Sequence, residues 1–218
     1  MREPKEIRKT IPTLAFVVDG QTEIWYLQMF KQWEEQHRNL RINIEPKIPQ
    51  KKTLEGQYKL VCRQAENEFD RVFWIVDLDV ILKETRDAPN RAKTTLAEFL
   101  EYRGWLYRDF ENVRVVINNP CLEFWFILHY TDTNRQFNKC RDVTNLLETE
   151  YLIGYEKSQR YFKKKDQDIY TRLRPYLQAA IRHAIRKGGF NDKNPEYNIS
   201  EMDFVFLCDE LKQYFQQG

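Results

Sequence analysis

Three nearly unbroken apolar runs constrain this chain more than any other feature: "LAFVV" at 14–18, "VFWIV" at 72–76 and "VRVVI" at 113–117. A strand with one wet face alternates apolar and polar residues. A strand that is apolar at successive positions must be covered on both faces. The intervening segments have helical spacing. Residues 22–36 place Tyr26, Met29, Phe30 and Trp33 on one face; further helices are expected over 54–69, over 91–104 with Gly104 as its stop, and over 121–130. "RINIEPKI" at 41–48 alternates in period two and reads as a weaker strand. Apolar strands separated by helices predict a mostly parallel sheet flanked by helices. After Tyr130 no further strand is expected, and 136–150, 168–188 and 201–215 read as helices. The predicted organisation is an α/β core over 1–130, carrying an acidic metal site, with a helical, basic extension over 131–218 packed on it.

The 218 residues suffice for one domain with its own core. No run approaches the ~18 apolar residues of a membrane span. The opening "MREPKEIRKTIP" has no apolar signal core, which predicts a cytoplasmic protein without membrane attachment. Cys62, Cys121, Cys140 and Cys208 contain no Cys-x-x-Cys pair, so they suggest neither a zinc site nor a redox motif; most read as buried thiols. Net charge is only +2, but its distribution is uneven. Lys157 to Lys187 holds ten Lys or Arg against two Asp, or +8, which leaves about −6 for the remainder. A basic surface interleaved with Tyr161, Phe162, Tyr170 and Tyr176 points to nucleic acid.

The acids fall in a pattern. In an open parallel sheet, sites form beyond the carboxyl ends of the strands. Asp19 follows the first apolar run, with Glu23 four positions on; Asp77 and Asp79 follow the second; Asn118, Asn119, Pro120 and then Glu123 follow the third. Any one of these acids would serve as a helix cap or turn residue. Five acids sent to one edge repel one another unless a cation removes the cost. Hard oxygen ligands select magnesium, manganese or calcium over zinc.

"VVDGQTEIWYL", "VFWIVDLD" and "NNPCLEFWFILHY", with the looser "YEKSQRYFKK" and "NPEYNISEMDFVFLCDEL", resemble the RloB-like proteins, a Toprim-related bacterial family. The match covers most of the chain in order, and the Asn-Pro segment before an aromatic-rich helix is its most specific part. The resemblance implies a Toprim-like sheet and a role in phage defence by abortive infection, beside a separately encoded ATPase. The chain itself has no Gly-x-x-x-x-Gly-Lys loop. That family usually carries glutamate where this chain has Asp19, one methylene shorter.

The expected activity is magnesium- or manganese-dependent hydrolysis of DNA or RNA, with transfer RNA among the candidate substrates. Asp19, Glu23, Asp77, Asp79 and Glu123 are the expected catalytic group. Asp19, Asp77, Asp79 and Glu123 are the expected metal ligands, and Asn119, Lys157, Arg160, Lys163, Lys164 and Lys165 the expected substrate contacts. Two competing readings are kept. One is a non-catalytic, Toprim-shaped partner or nucleic-acid-binding subunit of a defence ATPase. The other is a haloacid-dehalogenase-type phosphatase, because "WIVDLDV" resembles that superfamily's Asp-x-Asp motif, although that motif normally lies on the first strand.

Overall fold

The structure, a computed structural model, describes residues 11–38, 41–45, 53–67, 69–89 and 93–215. Most of the charged N-terminal segment, the last three residues of the strand expected at 41–48 and the start of the helix expected at 91 lie outside them.

Strand β1 (Thr13–Val17) leads into α1 (Gln21–Arg38), β2 (Arg41–Glu45), α2 (Leu54–Glu66) and β3 (Arg71–Asp77). Helices α3 (Leu78–Asp87) and α4 (Thr95–Asp109), strand β4 (Val113–Asn119) and α5 (Leu122–Leu128) follow. The sheet order is β2-β1-β3-β4-β5, parallel except for β5 (Ile199–Ser200), which runs antiparallel to the end of β4. This is the expected α/β architecture, a mostly parallel sheet flanked by helices and consistent with a Toprim-like fold.

The unbroken apolar strands divide their side chains between two cores, as period-two geometry requires. Leu14, Phe16, Phe73, Ile75 and Val116 face one core, with α1 and α5. Ala15, Val17, Val72, Trp74 and Val115 face the other, with α2, α3 and α4. The first core also takes in Phe162, Tyr170, Ala180 and Phe206 from the C-terminal segment.

Several elements differ from expectation. Strand β5 lies in the segment where no strand was expected; it has only two residues, too short to show periodicity. Helix α3 starts directly after Asp77, with no linker to announce it. Helix α4 runs past Gly104 to Asp109, and a Cβ at Gly104 would meet nothing within 4 Å, so the glycine sits in open space and stops nothing. The helix expected over 136–150 begins only at α6 (Cys140–Leu146) and ends in a π-helical turn. A short α7 (Gln159–Phe162) follows. The helix expected over 168–188 is broken by Pro175 into α8 (Ile169–Leu173), a 3₁₀ turn and α9 (Leu177–Lys187). The last one divides at Cys208 into α10 (Asp203–Leu207) and α11 (Lys212–Phe215). Among the described residues no helix is long and apolar enough to cross a membrane.

Candidate functional site

Each inner parallel strand delivers an acid into the first turn of the helix that follows it: Glu23 in α1, Asp79 in α3 and Glu123 in α5. Asp77 ends β3 itself. The β3–α3 and β4–α5 junctions are latched together. The Leu122 N–H donates to Asp77 Oδ1 at 3.0 Å, and the Asp79 N–H donates to the Pro120 carbonyl at 3.2 Å. The Asn119–Pro120 peptide is cis.

At the centre stand Glu23, Asp77 and Glu123. Glu23 and Glu123 are 6 % and 0 % exposed. Asp77 stands beside them, half-buried at the end of β3. Burial, and then the Glu123 charge, push the Glu23 carboxyl above its ordinary range. Asp77 is pushed well above its range by burial and by the Glu23 and Glu123 charges. Gly20 makes room for this: a Cβ there would lie 2.0 Å from Glu23 Oε2.

Glu123 is held from the C-terminal side. Tyr155 Oη donates to Glu123 Oε1 at 2.8 Å, and Lys157 Nζ pairs with the same oxygen at 2.9 Å. Burial opposes the Lys157 charge, but the Glu123, Asp77 and Glu23 carboxylates outweigh it, and its pKa is raised. Burial and the Glu123 charge drive the Tyr155 hydroxyl well above its usual range.

The remaining predicted residues divide. Asp19 lines a cavity of about 140 Å³ with Gly20, Glu23, Gln57, Asp77 and Val80. Asp79 turns to a separate cavity of about 360 Å³, beside Arg86, Asn119 and Lys139. Burial raises the pKa of Asp79. Asn119 is 3 % exposed, and its amide donates to the carbonyls of Pro195 and Tyr197 at 3.0 and 2.8 Å, which ties that loop to β4. Arg160, Lys164 and Lys165 are exposed, and Lys163 is half-buried.

The basic window is partly structural. Arg174 lies 3.6 Å over the Trp33 ring, Arg172 lies 4.2 Å over Tyr161, and Arg186 pairs with Asp132. His129 is buried with Nδ1 2.9 Å from the Trp125 carbonyl, and burial lowers its pKa to about 3.

Sequence reasoning missed three participants. Gly20 was visible beside Asp19, but nothing local announced its contact with Glu23. Tyr155, two residues before Lys157, had only that proximity as a signal. The third is a disulfide: Cys121, expected as a buried thiol, is bonded to Cys140, and their ligand atoms lie with a Glu123 oxygen within 4.8 Å of one another. Nineteen residues separate them, and only the packing of α6 against α5 brings them together.

The carboxylate centre offers only hard oxygen donors, and burial and mutual charge raise the pKa values of Glu23 and Asp77. Hard oxygen donors suit magnesium or manganese, and Glu23, Asp77 and Glu123, with Asp19 in the adjoining cavity, are the residues that could hold one; among the described residues, however, the group of three whose ligand atoms already lie within 4.8 Å of one another is Cys121, Glu123 and Cys140. An acidic centre at the carboxyl ends of inner parallel strands defines an α/β protein of the strand-end-site class. Residues 14–205 match the profile of the RloB-like protein family, and the chain belongs to that family. Comparisons with curated proteins and with solved structures gave no match.

Proposed function

We propose that this chain is a magnesium- or manganese-dependent nuclease, hydrolysing phosphodiesters of DNA or RNA in bacterial defence against phage. One observation carries the chemistry: Glu23 and Glu123 are buried, Asp77 is half-buried beside them, and burial and mutual charge raise the pKa values of Glu23 and Asp77. A divalent cation bound there polarises phosphoryl oxygens and lowers the pKa of its water. Asp77 orients α5 through the Leu122 N–H while presenting its second oxygen to the centre. Tyr155 and Lys157 fix the Glu123 carboxylate, and Lys157 holds positive charge at its half-open edge. Asp19, which lines the same cavity as Glu23 and Asp77, is the proposed group that takes or gives a proton at a reacting oxygen. Arg160, Lys164 and Lys165 supply phosphate contacts from the surface that follows Lys157. The defence setting and a separate ATPase partner rest on the family resemblance.

The test is cleavage of plasmid, single-stranded DNA and transfer RNA with magnesium or manganese, using wild type, Asp77→Ala, Asp19→Ala and Asp19→Glu. The expected result is metal-dependent cleavage abolished in Asp77→Ala and reduced about 10²–10⁴-fold in Asp19→Ala. Cleavage that survives Asp77→Ala overturns the assignment.

The non-catalytic partner reading has one observation of its own: the Lys157 ammonium already neutralises Glu123. It predicts that wild type binds manganese no better than Asp77→Ala and cleaves none of the substrates.

A further inference from the structure

We infer that Cys121, Cys140 and Glu123 form a redox-gated site for one thiophilic divalent cation of the zinc class, closed as the disulfide and open as the dithiol. The site is distinct in chemistry from the carboxylate centre and does not depend on the nuclease reading, although it shares Glu123 with it.

Three observations carry it. First, one ligand atom from each of Cys121, Glu123 and Cys140 lies within 4.8 Å of the other two. Tetrahedral zinc, with Zn–S near 2.3 Å and Zn–O near 2.0 Å, separates its ligands by about 3.5–3.8 Å, inside that span. Cys121 caps α5 and Cys140 opens α6, with Cα atoms 5.6 Å apart. Opening the sulfur–sulfur bond lets side-chain rotation spread the sulfurs without moving either helix. Second, Glu123 Oε2 approaches Cys140 Sγ at 3.2 Å. A disulfide sulfur carries no hydrogen, so these two electron-rich atoms meet without a proton of their own, beside the Lys157 ammonium. In the dithiol form, a cation fills that contact. Third, the site is enclosed on one side and approachable on the other. Cys121 and Glu123 are buried, while Cys140 is partly exposed. Lys157, 3.1 Å from the Cys140 sulfur and 2.9 Å from Glu123, has a side chain 43 % exposed that can withdraw into water.

The step balances with a dithiol reductant. Its two thiols transfer two electrons and two protons to the Cys121 and Cys140 sulfurs, the protein sulfur–sulfur bond breaks, and the reductant closes to its own disulfide. Metal binding then releases two thiol protons to solvent. Soft sulfur ligands exclude magnesium from this triad and favour zinc or cadmium. Because Glu123 serves both sets, zinc bound here withdraws a carboxylate from the hard-cation centre.

The experiment titrates cadmium and zinc into the full chain, either treated with a phosphine reductant or oxidised with diamide, in excess magnesium. In the reduced protein we expect one equivalent of metal and a thiolate-to-cadmium charge-transfer band; in the oxidised protein we expect neither. Cys121→Ser and Cys140→Ser lose the band, Cys62→Ser and Cys208→Ser keep it, and Glu123→Gln weakens zinc at least tenfold. Because substitutions at α5 can impair folding, alkylation mapping of the unmutated protein supplies a second readout. Zinc should shield Cys121 and Cys140 from iodoacetamide while Cys62 and Cys208 react at unchanged rates. Absence of the band in reduced wild type, equal binding by oxidised protein, or shielding of all four cysteines alike would overturn the site. Unchanged affinity in Glu123→Gln would overturn the three-ligand assignment.

Discussion

At the scale of single residues, the centre is a balance between burial and charge that, on the proposed reading, a cation would resolve. Glu23 and Asp77 have raised pKa values in the folded chain, first because they are buried and then because acids surround them. An acid whose folded pKa exceeds its unfolded one contributes stability that is fully present below the unfolded value. That stability is lost as pH rises towards the folded value. Metal-free protein should therefore lose thermal stability as pH rises through and above the ordinary carboxyl range. Glu23→Gln should flatten that loss, and wild type with magnesium should flatten it too. Melting curves across pH check this, and a metal-free Glu23→Gln protein as pH-sensitive as wild type would contradict it. Gly20 gives a second prediction. Alanine there places a methyl group 2.0 Å from Glu23 Oε2, so the carboxylate must move. Misplacement by about 1 Å can cost about 10²-fold in rate. Gly20→Ala should lower cleavage and manganese affinity by that order, while its melting temperature changes little.

Between elements, the decisive contacts are polar latches inside apolar packing. Helix α1 is fastened to α8 by Tyr170, whose hydroxyl donates to Glu34 Oε1 at 2.6 Å, and Glu34 is also paired with Arg38 at 3.0 Å. Glu34 is 0 % exposed, and burial raises its pKa against the pull of Tyr170 and Arg38. Tyr170→Phe leaves that carboxylate short of a donor, which should cost about 1–3 kcal/mol. For a chain of this size that is a fall of several degrees in melting temperature. Cleavage at permissive temperature should persist, because Tyr170 bonds to Glu34, about three turns along α1 from Glu23. A melting temperature equal to wild type would show the latch to be energetically neutral.

Over the whole molecule, charge is divided between the acidic strand ends and the basic surface after Lys157. Replacing Lys163, Lys164 and Lys165 with alanine should weaken nucleic-acid binding. It should also reduce the log–log salt slope by up to about three units, near one per phosphate contact. An unchanged slope would make these lysines ordinary solvated surface. The C-terminal segment carries its own titrating group: burial, and then Glu201, raise the Asp203 pKa to about 7. By the same sign rule, its contribution to stability is complete below the ordinary aspartate value and is lost as pH rises towards 7. Asp203→Asn should therefore stabilise the protein at pH 8 more than at pH 4, which chemical denaturation at the two pH values measures.

The sequence by itself determined the sheet and the edge where the acids gather. An apolar residue at each inner-strand position can be satisfied only by cover on both faces, and a chain leaving such a strand must turn polar where the cover ends. Leu14–Val18 followed by Asp19, and Val72–Val76 followed by Asp77, state that outcome locally. Tertiary structure decided which acids meet. Glu23 and Asp77 line one cavity and the Glu123 charge acts on both, whereas Asp79, still within reach of the Asp77 and Glu123 charges, lines another cavity with Asn119 and Arg86. The same holds for Tyr155, Lys157 and the Cys121–Cys140 bond, which come from segments with no local pattern linking them to Glu123. Periodicity reports which face of an element is covered, because burial acts residue by residue. Long-range polar contacts depend on where two faces meet, and that follows only from packing.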